Sequence, residues 1–221
     1  MAHREELALY CVKYGESVLP ENTVFPDGRE DRSVPITFCI YCIRTAGRNI
    51  LVDAGCDTMP GFVMKDFRSP ALALQDIGVL AEEVTDVVIT HAHHDHIEAL
   101  KHFCNAAVHI SKAAWEKGKK YIPEDFSVAL FEKEHQLAPQ IRVLEWGGHA
   151  KGSSIVEVTF GEMIHVLAGD ECYTAANIQQ KRPTGTFVDP ARAMDFVELY
   201  SKEPYRVHTC HDITLKTEKI I

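Results

Sequence analysis

A layered α/β or α+β fold is what this sequence predicts. Three features point to it: alternating or β-branched runs gathered early in the chain, helix signals interleaved with strands later, and His or Asp residues placed where apolar strands stop. The 221 residues, 46% hydrophobic and 25% charged, fit one soluble domain spanning 1–221 around an extensive core.

Each element has its own signal. Leu7 to Tyr14 shows mixed alternation, Ile36 to Arg44 is β-branched and aromatic, and Asn49 to Val52 resumes after a turn at Ala46-Gly47. Pro20 to Pro35, rich in turn formers and charge, reads as a long surface loop of the kind that covers a site. Ser69-Pro70 is a cap followed by proline at the first helical position, and that helix should end near Gly78. A strand at Asp86 to Thr90 follows, then a helix from about Ile97 to Phe103, a strand at Ala107 to Ile110 and a helix capped by Ser111 that runs towards Gly118. Ile141 to Leu144, Ser154 to Phe160 and Met163 to Ala168 are strands, the last two joined by a tight hairpin at Gly161-Glu162. Asp189-Pro190 starts a helix to about Tyr200, and Arg206 to Cys210 is a final strand.

Composition narrows the function classes. No stretch is long and apolar enough to span a bilayer, and Met1 to Glu6 leads into a strand pattern rather than a signal peptide's apolar core, so a cytoplasmic protein with no membrane role is expected. Acidic residues outnumber basic ones by 32 to 23, and the net charge of -9 opposes binding to nucleic acid and favours a small-molecule substrate. The seven cysteines are scattered and odd in number, which suits reduced, buried thiols better than a disulfide framework. Cys39 and Cys42 form a C-x-x-C inside a strand, where alternation aims them at opposite faces.

Thr90-His91-Ala92-His93-His94-Asp95-His96 holds the densest chemistry. Four imidazoles and a carboxylate lie within six consecutive residues directly after an apolar strand. Buried imidazoles so close would each need partners for two nitrogens, and protonated ones would repel, whereas a divalent metal accepts several neutral imidazoles at once. If His91, His93 and Asp95 share one side of the loop, His96 is thrown to another side and can reach a second metal. Two coordination spheres need further ligands from distant strand ends, and His149 after Gly147-Gly148, Asp170 after Leu167-Ala168-Gly169, and His211 after the last strand are candidates.

Together, His91-x-His93-x-Asp95-His96, His149, Asp170 and His211 resemble the complete ligand set of the metallo-β-lactamase superfamily, and Ile50-Leu51-Val52-Asp53-Ala54-Gly55 resembles that family's early strand and turn. The resemblance covers about Leu51 to His211 and implies a four-layer αββα sandwich with two divalent metals at one edge of two sheets. It assigns one metal to His91, His93 and His149, the other to Asp95, His96 and His211, with Asp170 bridging both. Zinc is the expected metal, with iron or manganese as alternatives.

Within the superfamily the chain is most similar to the N-acyl homoserine lactonases, which act in quorum quenching. Asp170-Glu171-Cys172-Tyr173 places a tyrosine where those enzymes carry one that donates to the lactone carbonyl, and Cys210-His211-Asp212 resembles their Gly-His-Asp. The resemblance implies a hydrolase that opens a lactone or ester by attack of a metal-bridging hydroxide, with Tyr173 polarising the carbonyl and Asp95 passing a proton to the departing alkoxide. The sequence departs from the family's pattern at Ile97-Glu98, where Gly-Gly is usual, and at Gly148-His149-Ala150-Lys151-Gly152-Ser153, where Gly-His-x-Pro-Gly-His is usual.

Asp53 is a candidate to orient a ligating imidazole, and His94 is expected to point away from the metals. His208 reads as a packed strand residue, while His3, His102, His109, His135 and His165 have no ligand context. Trp146 is near enough to His149 in sequence to line the site, and Trp115 reads as core or pocket wall. A metal-dependent phosphodiesterase is the alternative on the same platform, and a single-iron sulfur dioxygenase or a non-catalytic metal-binding module also stays open, as does the oligomeric state, a homodimer included.

Overall fold

In the computed structural model, which describes residues 7–61 and 63–221, the early strands form one mixed sheet. β1 (Ala8–Pro20), β2 (Ser33–Thr45) and β3 (Arg48–Val52) are antiparallel neighbours. β4 (Asp86–Ile89), β5 (Ala107–Ser111) and β6 (Val128–Phe131) continue it in parallel. A second sheet holds β7 (Glu134–Ala138), β8 (Ile141–Glu145), β9 (Ser154–Phe160), β10 (Met163–Leu167) and β11 (Tyr205–His208), antiparallel except for the last pair. The short β12 (Glu218–Lys219) adds to the outer edge of β1.

Strand alternation decides how these sheets stack. On β2, Ile36, Phe38, Ile40 and Cys42 face one core, while Cys39, Tyr41 and Ile43 face another. The second of these cores is shared with Val143, Val156, Val158 and Leu167 of the other sheet, so it lies between the sheets. Cys39 and Cys42 therefore point to opposite faces, as alternation requires, and both thiols are free.

Helices cover the two outer faces. α1 (Glu21–Val24) sits at the end of β1, and α2 (Pro70–Ala73) runs on as a 3₁₀ turn to a left-handed Gly78, where the sequence places the stop. α3 (His94–Ile97) and α4 (Lys112–Gly118) pack with α2 on the first sheet, and the Ser111 side chain accepts from Ala114 N–H as the cap of α4. α5 (Ala175–Gln179) is a single short turn, and α6 (Pro190–Tyr200) buries Phe196, Val197 and Tyr200 against Ile155 and Val166 of the second sheet. The result is a four-layer αββα sandwich.

The boundaries differ from the sequence reading in instructive places. β1 runs to Pro20 and β2 begins at Ser33 because Val18, Leu19 and Pro20 pair with Pro35, Val34 and Ser33, so the expected loop is shortened and contains α1. The helix expected from Ile97 starts at His94, which places Asp95 and His96 on its first turn. β6, β7, α5 and β12 were not legible, and the last strand ends at His208, which releases Thr209 to His211 to turn inward.

His208 is paired with His165 on the neighbouring strand, their rings stacked at 7° and their nitrogens 2.9 Å apart. Burial, with His165 and Arg206 nearby, pushes the His208 pKa down to about 3. The unfolded chain would bind a proton near 6.5 that the folded chain refuses, so stability is full above that pH and is lost as pH falls towards 3. In urea titrations, His208→Gln should show a shallower loss of stability between pH 7 and pH 5 than the wild type; equal losses would contradict the assignment.

Candidate metal centre

Four chain segments bring the site together, one following β4 of the first sheet and three following β8, β10 and β11 of the second. Thr90 follows β4 and leads to His91, His93 and the first turn of α3. The loop after β8 carries His149, a 3₁₀ turn over Gly169–Glu171 after β10 carries Asp170, and the turn after β11 carries His211. Gly169 takes a φ of +50°, and a Cβ there would lie 2.8 Å from Thr90 Oγ1, so only glycine lets the Asp170 turn approach β4 this closely.

All seven residues singled out in the sequence converge. Asp170 Oδ2 lies 3.4 Å from both His91 Nε2 and His149 Nε2, while Asp170 Oδ1 lies 3.1 Å from His96 Nε2 and 3.2 Å from His211 Nε2. His93 Nδ1 is 3.0 Å from both His91 Nε2 and His149 Nε2. Asp95 Oδ2 is 3.6 Å from His96 Nε2 and from His211 Nε2. One carboxylate thus faces two donor groups, one through each oxygen.

The far side of four of the five rings is pinned. His149 Nδ1–H donates to Thr186 O and His211 Nδ1–H to Thr37 O, both at 2.9 Å. His96 Nδ1–H donates to Asp53 Oδ2 at 2.7 Å, and His91 Nδ1 contacts Thr90 Oγ1 at 3.0 Å. A proton held on Nδ1 leaves Nε2 as a lone pair aimed at the centre, the form that ligates a metal. Asp53 does more than orient His96: from a left-handed φ of 64° it also accepts from Thr90 N–H and Oγ1–H, which ties the β3 turn to the start of the ligand loop.

These groups fit metals better than they fit one another. His93 Nδ1 faces two Nε2 lone pairs at equal distance and could donate to only one, and His96 Nε2 is buried without a hydrogen-bond partner among the described residues. Donor atoms of His91, His93, His149 and Asp170 lie within 4.8 Å of one another, as do those of His96, Asp170, Cys210 and His211. Spacings of this size suit ligands at about 2.0–2.2 Å from a shared cation. The charges agree: burial opposes ionisation throughout, yet His96, His91, His211 and His149 around Asp170 leave its carboxyl well below the usual range, while Asp170, Asp53 and Asp95 hold the His96 imidazole well above its own. Burial and the neighbouring His96 keep His91 neutral.

Each departure from the family pattern has its own partner. Glu171 is buried and accepts from Gly148 N–H, His149 N–H and Ser153 Oγ–H, so it holds the backbone of the His149 loop from beneath. A Cβ on Gly148 would lie 2.4 Å from Glu171 Oε2 and 3.0 Å from Ala193 N, so a larger residue would displace the Glu171 carboxylate from the loop it holds. Glu98 accepts from Asp57 N–H at 2.7 Å and so tethers the segment that follows the early turn.

The other expectations resolve individually. His94 turns away and contacts Thr58 O, His102 pairs with Asp57, and His109 pairs with Asp86, with His135 stacked on it. Tyr173 packs edge-on against His149 and His211 and its hydroxyl meets Thr186 Oγ1 at 2.8 Å. Trp146 does not line the metal cavity: its ring packs on Phe196 and Tyr200, and its indole N–H donates to Arg192 O, because the loop reverses between it and His149. Trp115 packs against the core of the first sheet. His3 lies outside the described residues. Thr37, Thr186 and Glu171 were missed; the two threonines act through backbone carbonyls, which leave no mark in sequence.

Two facing sheets with a His/Asp cluster at their shared edge define a metallohydrolase. The chain belongs to the metallo-β-lactamase superfamily, whose family model matches residues 40–194. It is 23% identical to an N-acyl homoserine lactonase of Agrobacterium fabrum over 76% of this chain and 78% of that one. An N-acyl homoserine lactone hydrolase solved with N-hexanoyl-L-homoserine at its catalytic metal centre matches with a TM-score of 0.79 at 19% identity, over 93% of each chain. AidC, a dizinc quorum-quenching lactonase, matches at 0.76 and 17% identity over 96% of this chain and 90% of that one. No helix among the described residues is long and apolar enough to cross a membrane.

Asp53 gives the site a direct test. Asp53→Asn should weaken metal binding at the His96 position by about 10- to 100-fold while the His91, His93 and His149 position keeps its affinity. Equilibrium dialysis showing both affinities unchanged would remove Asp53 from the site.

Proposed function

We propose that this chain hydrolyses a lactone or ester of a neutral small molecule, using two divalent metals, zinc first among them. The observation that carries the reading is the cavity beside the cluster. It measures about 300 Å³, at the low end for ligand pockets, and Leu19, Ile36, Phe38 and Met59 give it an apolar wall next to Asp95, Tyr173 and His211. None of its lining residues is Lys or Arg, so nothing in that wall favours a phosphate over an uncharged ester.

His91, His93 and His149 would hold one metal, Asp95, His96 and His211 the other, and Asp170 both. Metals held there would supply a bound water of lowered pKa and a Lewis acid for the carbonyl, so no side chain would need to act as the base.

Tyr173 supplies the remaining donor. Burial and the charge of Asp170 push its pKa well above the ordinary phenol value, so its hydroxyl keeps its proton. If Thr186 Oγ1–H donates to the phenol oxygen, the phenol hydrogen is free to turn to a carbonyl oxygen as it gains charge. The Asp95 carboxylate borders the cavity and makes no side-chain hydrogen bond among the described residues beyond its imidazole contacts, which leaves an oxygen free to carry a proton to the leaving alkoxide.

Two experiments test this reading. Against a panel of lactones, aryl esters and bis-aryl phosphates, lactone opening should be fastest and chelator should abolish turnover; dominant phosphodiester cleavage would favour the phosphodiesterase alternative. Tyr173→Phe should keep its metals and lose up to about 100-fold or more in lactone turnover. Unchanged kinetics in the fully loaded variant would show the hydroxyl to be idle.

A further inference from the structure

Cys210 lies inside the site without a role in it so far. It is 4% exposed, follows β11 and directly precedes His211. Its Sγ is 3.4 Å from Asp170 Oδ1 and 3.5 Å from Gly169 O. Asp170 Oδ1 is the oxygen that faces His96 and His211, so the thiol stands on the second metal's side of the bridging carboxylate.

The donor atoms decide what this position can do. Cys210 Sγ, His96 Nε2, His211 and Asp170 offer four ligand atoms within 4.8 Å of one another. Asp95 lies outside that set, although its Oδ2 is 3.6 Å from each imidazole nitrogen. His96, 2% exposed, turns an Nε2 without any hydrogen-bond partner among the described residues into the same set. A sulfur bound at about 2.3 Å and an oxygen at about 2.1 Å stand roughly 3.4 Å apart when they subtend about 100° at the metal, which matches the Sγ to Oδ1 spacing.

We propose that Cys210 is a direct ligand of the second metal. The site then has sulfur, imidazole and carboxylate donors, and it selects zinc, cobalt(II) or ferrous iron over manganese, which prefers oxygen. On binding, the S–H bond breaks, a sulfur–metal bond forms and the proton leaves to solvent; nothing is oxidised. This assignment rests on the dinuclear reading but not on the identity of the substrate.

Cobalt(II) provides the probe, because a thiolate ligand adds a charge-transfer band in the near ultraviolet that His and Asp ligands do not. The band should grow with the second equivalent of cobalt and be lost in both Cys210→Gly and Cys210→Ser, while the visible bands of imidazole-bound cobalt remain. X-ray absorption of the wild-type dizinc protein reads the same bond without a variant and should show a sulfur neighbour at about 2.3 Å. A wild type with two cobalt ions and no such band, a band that survives in both variants, or a zinc shell of nitrogen and oxygen alone would overturn the assignment. Lactone turnover by a wild-type protein that lacks the band would overturn it and leave the proposed function standing; failure of the wild type to bind a second cobalt would overturn both.

Discussion

Burying a carboxylate removes it from water at a cost of several kcal/mol, and that cost is offset only where charges or donors surround it. Asp170 meets this condition from both sides, with two imidazole nitrogens facing each oxygen. Everything else at this edge of the sandwich serves that arrangement. β4, β8, β10 and β11 stop where they do so that four separate segments can reach one carboxylate.

Rigidity follows from what stands behind the ligands. Four imidazoles are fixed through their Nδ1 atoms, by Thr90, Asp53, Thr186 and Thr37, and three of these anchors belong to segments remote from the ligand they hold. Asp53 links the first sheet's turn to the ligand loop, Glu171 locks the His149 loop, and Thr37 on β2 ties His211 back to the first sheet. Because the anchors come from both sheets, packing of the inter-sheet core and geometry of the site are one property.

Much of this was legible in the sequence because the ligand types are dense and sit at strand ends. His91 to His96 carries its own signal, and His149, Asp170 and His211 gain meaning only jointly with it. The αββα layering followed from resemblance, while the strand and helix signals alone gave no order for the sheets. β7, Glu134-His135-Gln136-Leu137-Ala138, lacks the β-branched residues that announce a strand and exists because β8 offers it an edge to pair with. Trp146 misled because sequence distance to His149 says nothing about a loop that turns between them, with Gly147 at a φ of +81° as the pivot.

Asp170, one oxygen toward each donor cluster, is placed to bridge two metals held at the ends of two sheets. Anomalous diffraction from zinc-loaded crystals, collected above and below the zinc edge, measures this most directly. Two peaks about 3.5–4 Å apart, one beside each oxygen of Asp170, are expected. A single peak, or peaks that leave Asp170 outside the coordination shells, would contradict it.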